Sequence, residues 1–436
     1  MYSYTNCFCK RNMLITLMFC MLVIFVMLVY INEVTSYKKS DFVKNGKFYS
    51  RIRDRPLGEY HTNLQSNKID FWRTFGNVSS CVPKKKNICY IKTHKTGSTT
   101  IGHIMNIFGF RNNLSFAFNK NKTTNGHIGS FTVLNKDTPR HSFLPPLGVE
   151  EGDYDNYKYN LTSVHLRYIR TGLISFMNPD TKYITIIREP AGQFESAFDQ
   201  FQLKRALIRN KTESDYENIK RFLQYPDHYW ENLRKVNWRG NSGRAWYYAR
   251  NNQLFDLGLD HTYHGDTQLV ERYLDLLNNE FEMVIVLEHI DESLVVLRKE
   301  LCWSWNDILY IAKNRRENVT ALPDKLQEKI RAWNFADRML YSYFNQTLWK
   351  KVQRYGSTFE SDLVFFRKLR QQVNDVCEVK THIRNNKVFH NQAKGASLDC
   401  ELLGMRKNGM FKKVFLRQGG DKATEQIDEK DFDPFF

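Results

Sequence analysis

A chain of 436 residues with 42% hydrophobic, 14% aromatic and 25% charged content has the composition of a folded protein, which excludes a disordered or collagen-like chain. Sixty-four Lys and Arg against 47 Asp and Glu give a formal charge of +17, favouring a polyanionic ligand, a glycan or a membrane surface. Only 10 Pro and 22 Gly leave little room for long linkers.

Residues 1–12 form a short polar start, and residues 13–31 (MLITLMFCMLVIFVMLVYI) run for 19 residues without a charge, long enough to cross a bilayer as one helix. A secretory signal peptide has a shorter apolar region and a small-residue cleavage site, so a retained membrane anchor is the expectation. An anchor makes nucleic acid an unexpected partner. The cations after the span, Lys38 to Arg55, outnumber Lys10 and Arg11 before it and alone would put the C-terminus in the cytosol. Seven Asn-x-Ser/Thr sequons, at Asn77, Asn113, Asn121, Asn160, Asn210, Asn318 and Asn345, argue for the opposite orientation. Long C-terminal domains translocate largely regardless of flanking charge, so the expected topology is type II, with a luminal body.

Residues 32–80 are polar and basic without periodicity and read as a stem. The body is expected to span 81–376, with 377–436 as a C-terminal appendage in which charged and apolar residues mix without a clear period. Beyond the span lie five cysteines, Cys81, Cys89, Cys302, Cys377 and Cys400; the odd number leaves one free or intermolecular, and no zinc-ligand spacing appears.

The body opens with a short β-rich stretch, 87–91, then the polar loop Lys92-Thr-His-Lys-Thr-Gly-Ser-Thr-Thr100, then Ile101, Ile104, Met105 and Phe108 at helical spacing. A strand, a Gly- and hydroxyl-rich turn and a helix N-terminus together present N–H groups to a phosphate, and Lys95 adds a positive charge. The order departs from the nucleotide-hydrolysing G-x-x-x-x-G-K-[ST] pattern, since Lys95 precedes Gly97 and the first Gly is missing. A second strand, 182–188 (KYITIIR), precedes Glu189-Pro190, with Pro190 suited to the first turn of a helix, and Phe194, Ala197, Phe198 and Phe201 on one core-facing side. A third, 281–287 (FEMVIVL), is followed by Asp291-Glu-Ser-Leu294, and helices are expected from Asp307 to about Val376. Strands alternating with helices point to a parallel α/β sheet.

The segment Lys-Thr-Gly-Ser-Thr resembles the 5′-phosphosulfate loop of sulfotransferases. Arg188 at a strand end and Ser196 eight residues later resemble the pair that grips the donor's 3′-phosphate in that superfamily. KTHKTG, SVHLRY around His165, REPAGQFESAF, NNQLFDLG at 251–258 and DESL at 291–294 together resemble the galactose 3-O-sulfotransferase family, over roughly residues 81–377.

That resemblance implies an α/β three-layer sandwich with a central parallel sheet, of the P-loop sulfotransferase type. It also implies sulfuryl transfer from 3′-phosphoadenosine 5′-phosphosulfate (PAPS) to the 3-hydroxyl of a terminal β-galactose, in the Golgi lumen. The implied acceptor is a galactose-terminated glycolipid, as for a galactosylceramide-type enzyme, or a glycan; a homodimer is admitted. Donor-binding residues carried over are Lys92, Thr93, Lys95, Thr96, Gly97, Ser98, Thr99, Arg188 and Ser196. In-line displacement builds charge on the leaving phosphate, so Lys95 in a nest of N–H groups lowers the barrier without a metal. The proton of the attacking hydroxyl needs a base, for which the candidates rank His94, His165, His103.

Rival features are weaker. Asp153 and Asp155 form the Asp-x-Asp that a metal-dependent glycosyltransferase needs, but so do Asp431 and Asp433, as chance allows. Trp230, Trp238 and Trp246 are candidates to stack on a sugar, with core packing the expected role. A membrane-anchored glycan-binding protein is the non-enzymatic alternative. It would be free to lose the donor-loop residues, yet all are present.

Overall fold

The computed structural model describes residues 81–121, 134–206, 214–235, 245–311, 321–384, 387–391, 397–405 and 407–420. All of these belong to one unit, Asp70–Phe436. The expected anchor, the stem, the sequons at Asn77, Asn210 and Asn318, and Trp238 lie outside the described residues. Among the described residues no helix is long and apolar enough to cross a membrane.

Four parallel strands form the central sheet: β1 (Ile88–Ile91), β2 (Leu161–Thr162), β3 (Lys182–Ile187) and β4 (Phe281–Val286), in the order β2-β1-β3-β4. They are apolar on both faces, as a covered parallel sheet requires, with Ile88, Ile91, Ile184, Ile186 and Ile285 all fully buried. The helices are α1 (Ser98–Arg111), α2 (Arg170–Phe176), α3 (Pro190–Gln200), α4 (Asp215–Phe222), α5 (Pro226–Lys235), α6 (Asn252–Asp256), α7 (Thr267–Glu280), α8 (Ile290–Glu300), α9 (Trp305–Ile308), α10 (Asp324–Trp333), α11 (Phe335–Tyr355), α12 (Phe359–Val376), α13 (Leu398–Gly404) and α14 (Lys407–Arg417). A separate antiparallel hairpin joins β5 (Lys380–Arg384) to β6 (Lys387–Asn391).

The three strands expected from sequence are present within a residue or two of their expected ends, whereas β2 has too few residues to show a period. The order has a functional consequence. From β1 the chain adds β2 on one side and β3 on the other, so β1 and β3 flank a topological switch point, where the loops leaving their carboxyl ends diverge and open a crevice. The loop 92–97 leaves β1 there and Arg188 leaves β3.

Pro190 occupies the first turn of α3, as expected, and Glu189 caps it by accepting from the Gly192 N–H at 3.1 Å. Phe194, Ala197 and Phe198 are fully buried, in a satellite core with Phe222, Ile330 and Trp333.

Residues after Cys377, set apart by sequence as an appendage, contribute Cys400, Leu402, Leu403, Met410, Val414 and Phe415 to the same core as the sheet. Their charges obscured the pattern because several are used internally. Arg417 donates to the carbonyls of Gly109, Phe110 and Leu114 near the end of α1, and Arg111 pairs with Asp399. Gln418 exchanges hydrogen bonds of 2.7 Å with the backbone of Phe116 in both directions. Disulfides join Cys81 to Cys302 and Cys377 to Cys400, and among the described residues Cys89, buried in β1, is the free thiol, held protonated by burial.

Candidate active site

The loop after β1 is held from beneath. Thr93 and Thr96 are fully buried, share a hydroxyl hydrogen bond of 2.7 Å, and Thr93 Oγ1 donates to the Ile186 carbonyl in β3. Lys95 (φ 61°) and Gly97 (φ 76°) both take left-handed conformations, with Thr96 between them. A side chain at Gly97 would meet Leu287 Cδ1 at 2.6 Å, so both backbone and neighbour demand glycine. Such a turn, running into the N-terminus of α1 at Ser98, directs N–H groups toward an anion. Lys92 is buried, and Thr99 is half-buried in the first turn of α1.

Arg188 is tied to this loop. Its Nη1 donates to the Lys95 carbonyl at 3.3 Å, and its own N–H and carbonyl are both gripped by the Gln253 side-chain amide, at 2.8 and 2.9 Å. Its guanidinium lies over Gly192, where a Cβ would approach Nη2 to 3.0 Å. Lys95 Nζ donates to Gln200 at 3.3 Å. Gly192, Ser196 and Gln200 recur at four-residue spacing along one stripe of α3, which places Ser196 between the residue under Arg188 and the residue that Lys95 contacts.

His94 and His165 come together, with their rings stacked at 4.6 Å and an interplanar angle of 17°. His165 Nδ1 donates to the Lys92 carbonyl at 3.2 Å. His94 has a stronger partner: both its N–H and its Nδ1 lie 2.8 Å from Asp256 Oδ2, and Nδ1 is 3.0 Å from Oδ1. Tyr248 closes one side, its ring 4.9 Å from His94 and stacked on Phe201. His103, the third candidate base, is elsewhere: buried in α1, with Nε2 held by the carbonyls of Leu402 and Leu403.

Asp256 was not singled out from the sequence, although it stands inside NNQLFDLG. The start of α6 is fastened from α11: the Asp337 carboxylate accepts from the N–H groups of Gln253 and Leu254, at 3.1 and 2.8 Å, while Asn251 and Asn334 bridge the same two elements. Asp337 is fully buried, and burial pushes its carboxyl up to about 7, with the charge of Asp256 adding to the shift. Arg167 of SVHLRY donates to the carbonyls of Phe255 and Gly258, at 3.0 and 2.8 Å, locking the His165 segment to the Asp256 segment. Gln193 Nε2 donates to the His94 carbonyl and to Asn252 Oδ1, both at 3.1 Å. KTHKTG, SVHLRY, REPAGQF and NNQLFDLG thus meet at one place. DESL does not: Asp291 pairs with Arg367 and Arg370 and accepts from Tyr310, fastening α8 to α12.

The full chain was compared with known proteins. The family description Galactose-3-O-sulfotransferase matches residues 8–396. The chain belongs to the galactose-3-O-sulfotransferase family. Among curated members, the galactosylceramide sulfotransferase of Mus musculus is 30% identical over 327 residues, 74% of this chain and 68% of that protein. Galactose-3-O-sulfotransferase 3 of the same species is 30% identical over 305 residues, 68% and 64% of the two chains, and galactose-3-O-sulfotransferase 2 of Sus scrofa is 31% identical over 274 residues, 62% and 63%. The chain thus spans about two thirds of the length of each. No solved structure matches.

The rival features fall away from this centre. Asp153 and Asp155 are exposed at the short turn Tyr154–Asn156, where Asp153 accepts from Asn156 at 3.0 Å. Among the described residues no group of three or more His, Cys, Asp or Glu is arranged to hold a metal. Trp230 is buried beside Trp333 in the satellite core, and Trp246 is half-buried against it.

Proposed function

We propose that this galactose-3-O-sulfotransferase family member moves a sulfuryl group from PAPS to the 3-hydroxyl of a terminal β-galactose, on a galactosylceramide-like glycolipid or on a glycoprotein glycan. It works in the Golgi lumen as a type II protein, with residues 13–31 as anchor, 32–80 as stem and a P-loop-type sulfotransferase sandwich from residue 81 onward, whose core also takes in residues after Cys377. The observation that carries the reading is the meeting, at the β1/β3 switch point, of an anion-binding loop, a second cation on the next strand and an imidazole paired to a carboxylate.

The donor fits the residues present. The left-handed turn at Lys95 and Gly97, with Thr96, Ser98 and Thr99 at the helix start, suits a 5′-phosphate; Lys92 and Thr93 shape the turn from below. Arg188 and Ser196 suit a 3′-phosphate. In the transfer, the galactose O3 bonds to sulfur as the bond from sulfur to the 5′-phosphate oxygen breaks. The electron pair of that bond leaves on the phosphate of adenosine 3′,5′-bisphosphate, and the hydroxyl proton passes to an imidazole. Lys95 and the loop N–H groups stabilise the charge that develops on the leaving oxygen, a contribution of about 3 to 4 kcal/mol for a well-aimed donor. His94 takes the proton, and His165 stacks beside it.

The test is transfer by the full chain, made in animal cells and solubilised in detergent, from radiolabelled PAPS. Acceptors are galactosylceramide, lactosylceramide, N-acetyllactosamine and a core 1 disaccharide, each also blocked at the galactose 3-hydroxyl. Label entering only the unblocked acceptors supports the reading and ranks the acceptor class. Label entering blocked acceptors equally would overturn the 3-hydroxyl, and no label in any would overturn the reaction.

A further inference from the structure

Two imidazoles share the candidate site, and their Nδ1 partners differ in kind. His165 Nδ1 faces the Lys92 carbonyl, a neutral dipole, at 3.2 Å. His94 Nδ1 faces both oxygens of Asp256, a carboxylate whose side chain is 8% exposed, and the same carboxylate takes the His94 N–H. A carboxylate only accepts, so Nδ1 of His94 carries the hydrogen and Nε2 is the basic nitrogen of the neutral ring. A carbonyl fixes a tautomer equally well, but it does not balance the charge the ring gains on taking a proton. His94 is also near His165 in the stack, the Tyr248 ring at 4.9 Å and Lys95 next in the chain, with Arg188 bound to the Lys95 carbonyl. Asp256 is an anion in direct contact with the His94 ring.

We infer that Asp256 is a positioning residue of the reaction: it holds His94 as the ring that accepts the proton of the sugar hydroxyl. The carboxylate fixes main chain and ring of His94 together, so the ring direction is referenced to α6 and is not left to the loop. When His94 gains its proton, the imidazolium is already paired with an anion at 2.8 Å. This inference rests on the sulfotransferase reading above, and it assigns the residue that orients that reading's base.

A double-mutant cycle tests it, with kcat, acceptor KM and the affinity for adenosine 3′,5′-bisphosphate measured on the full-length protein. Asp256→Asn offers an amide hydrogen to Nδ1 and favours the wrong tautomer. It is expected to lower kcat about 100-fold or more while nucleotide affinity stays within threefold, since removing an orienting carboxylate acts on the chemical step. In the His94→Gln background the same change is expected to cost less than threefold, because a residue acting through His94 has nothing left to orient. Additive losses, or a kcat within threefold of the unsubstituted enzyme for Asp256→Asn when His94→Gln is inactive, would overturn the inference alone. A His94→Gln enzyme that keeps its kcat would overturn the base assignment beneath it, and an unsubstituted enzyme without transfer would overturn the reaction itself. Should Asp256→Asn fail to fold, Asp256→Ser, which keeps an acceptor for the His94 N–H but withdraws the anion from Nδ1, carries the same expected outcomes. Nucleotide binding and a cooperative melt certify the fold in each case.

Discussion

At the N-terminal end of α1 the chain gathers Lys95, His94 and Arg188 beside backbone N–H groups, whereas at the C-terminal end Arg111 and Arg417 are directed at backbone carbonyls. Arg417, opposing carbonyls at the C-terminus of α1, satisfies groups the helix leaves unpaired and complements its dipole, while Arg111 donates to the Asn306 carbonyl in α9, so that end needs no ligand to pair these groups. Cations beside a helix N-terminus add to a positive field, and that end is stabilised when an anion arrives. The two histidines at α1 divide the same way: His103 is held by two carbonyls of α13, and His94 by a carboxylate beside the loop. Residue type and even sequence proximity do not distinguish them; the atoms opposite each ring do.

Lys95→Ala breaks the N-terminal end most directly. Turnover is expected to fall by about 100-fold to 1000-fold, with the melting temperature within a few degrees, because the lost cation acts on the developing charge. Single-turnover sulfate transfer measures it, and near-normal turnover would remove Lys95 from the chemistry. Breaking the C-terminal end should do the opposite. Replacing Cys377 and Cys400 by Ser releases the segment clasped onto α1, with an expected loss of about 3 kcal/mol by denaturant melting and a kcat at low temperature within twofold of the parent. A collapse of turnover in a still-folded double variant would mean that the two ends are not independent.

Arg188→Ala should weaken binding of adenosine 3′,5′-bisphosphate by about 10-fold to 100-fold, the worth of a charged hydrogen-bonding pair, and abolish its preference over the 3′-dephosphorylated nucleotide. Titration calorimetry with both nucleotides decides it; a preserved preference would place the 3′-phosphate elsewhere. His103→Gln sharpens the histidine comparison at small cost: about 1 kcal/mol of stability and no change in kcat beyond twofold.

A pH prediction attaches to Asp337, whose folded-state carboxyl is pushed up to about 7. Below the ordinary carboxylate pKa both states hold the proton and no penalty exists. As pH rises toward 7 the unfolded chain releases the proton while the folded chain keeps it, so this group's contribution to stability falls. Asp337→Asn should therefore melt progressively better relative to the parent as pH is raised from about 4 to about 7. A difference independent of pH would show that the carboxyl is not perturbed.

Much of this was legible in the sequence where the signal is local. The three longer strands announced themselves by β-branched runs, the Lys92–Thr100 loop by its Gly and hydroxyls, and α3 by Pro190. What was not legible depends on partners distant in sequence. Asp256 is 162 residues from His94, and only the fold turns an unremarked Asp between Phe and Leu into the partner of a ring. Gln193 and Gln253 are ordinary amides until their hydrogen bonds are seen. The C-terminal segment defied reading for a related reason: Arg417 and Gln418 serve backbone groups more than 300 residues away, so its charge pattern does not mark a solvent face. Five cysteines gave an odd count, and burial within β1 decides that Cys89 is the one left over.

Gln253 and Asp256 stand three residues apart on the single turn of α6, one amide clasping the backbone of Arg188 and one carboxylate clasping His94. The helix is therefore a shared mount for two different halves of the site. On the proposed reading, an ångström of drift in it would misalign the grip on the nucleotide and the aim of the imidazole at once.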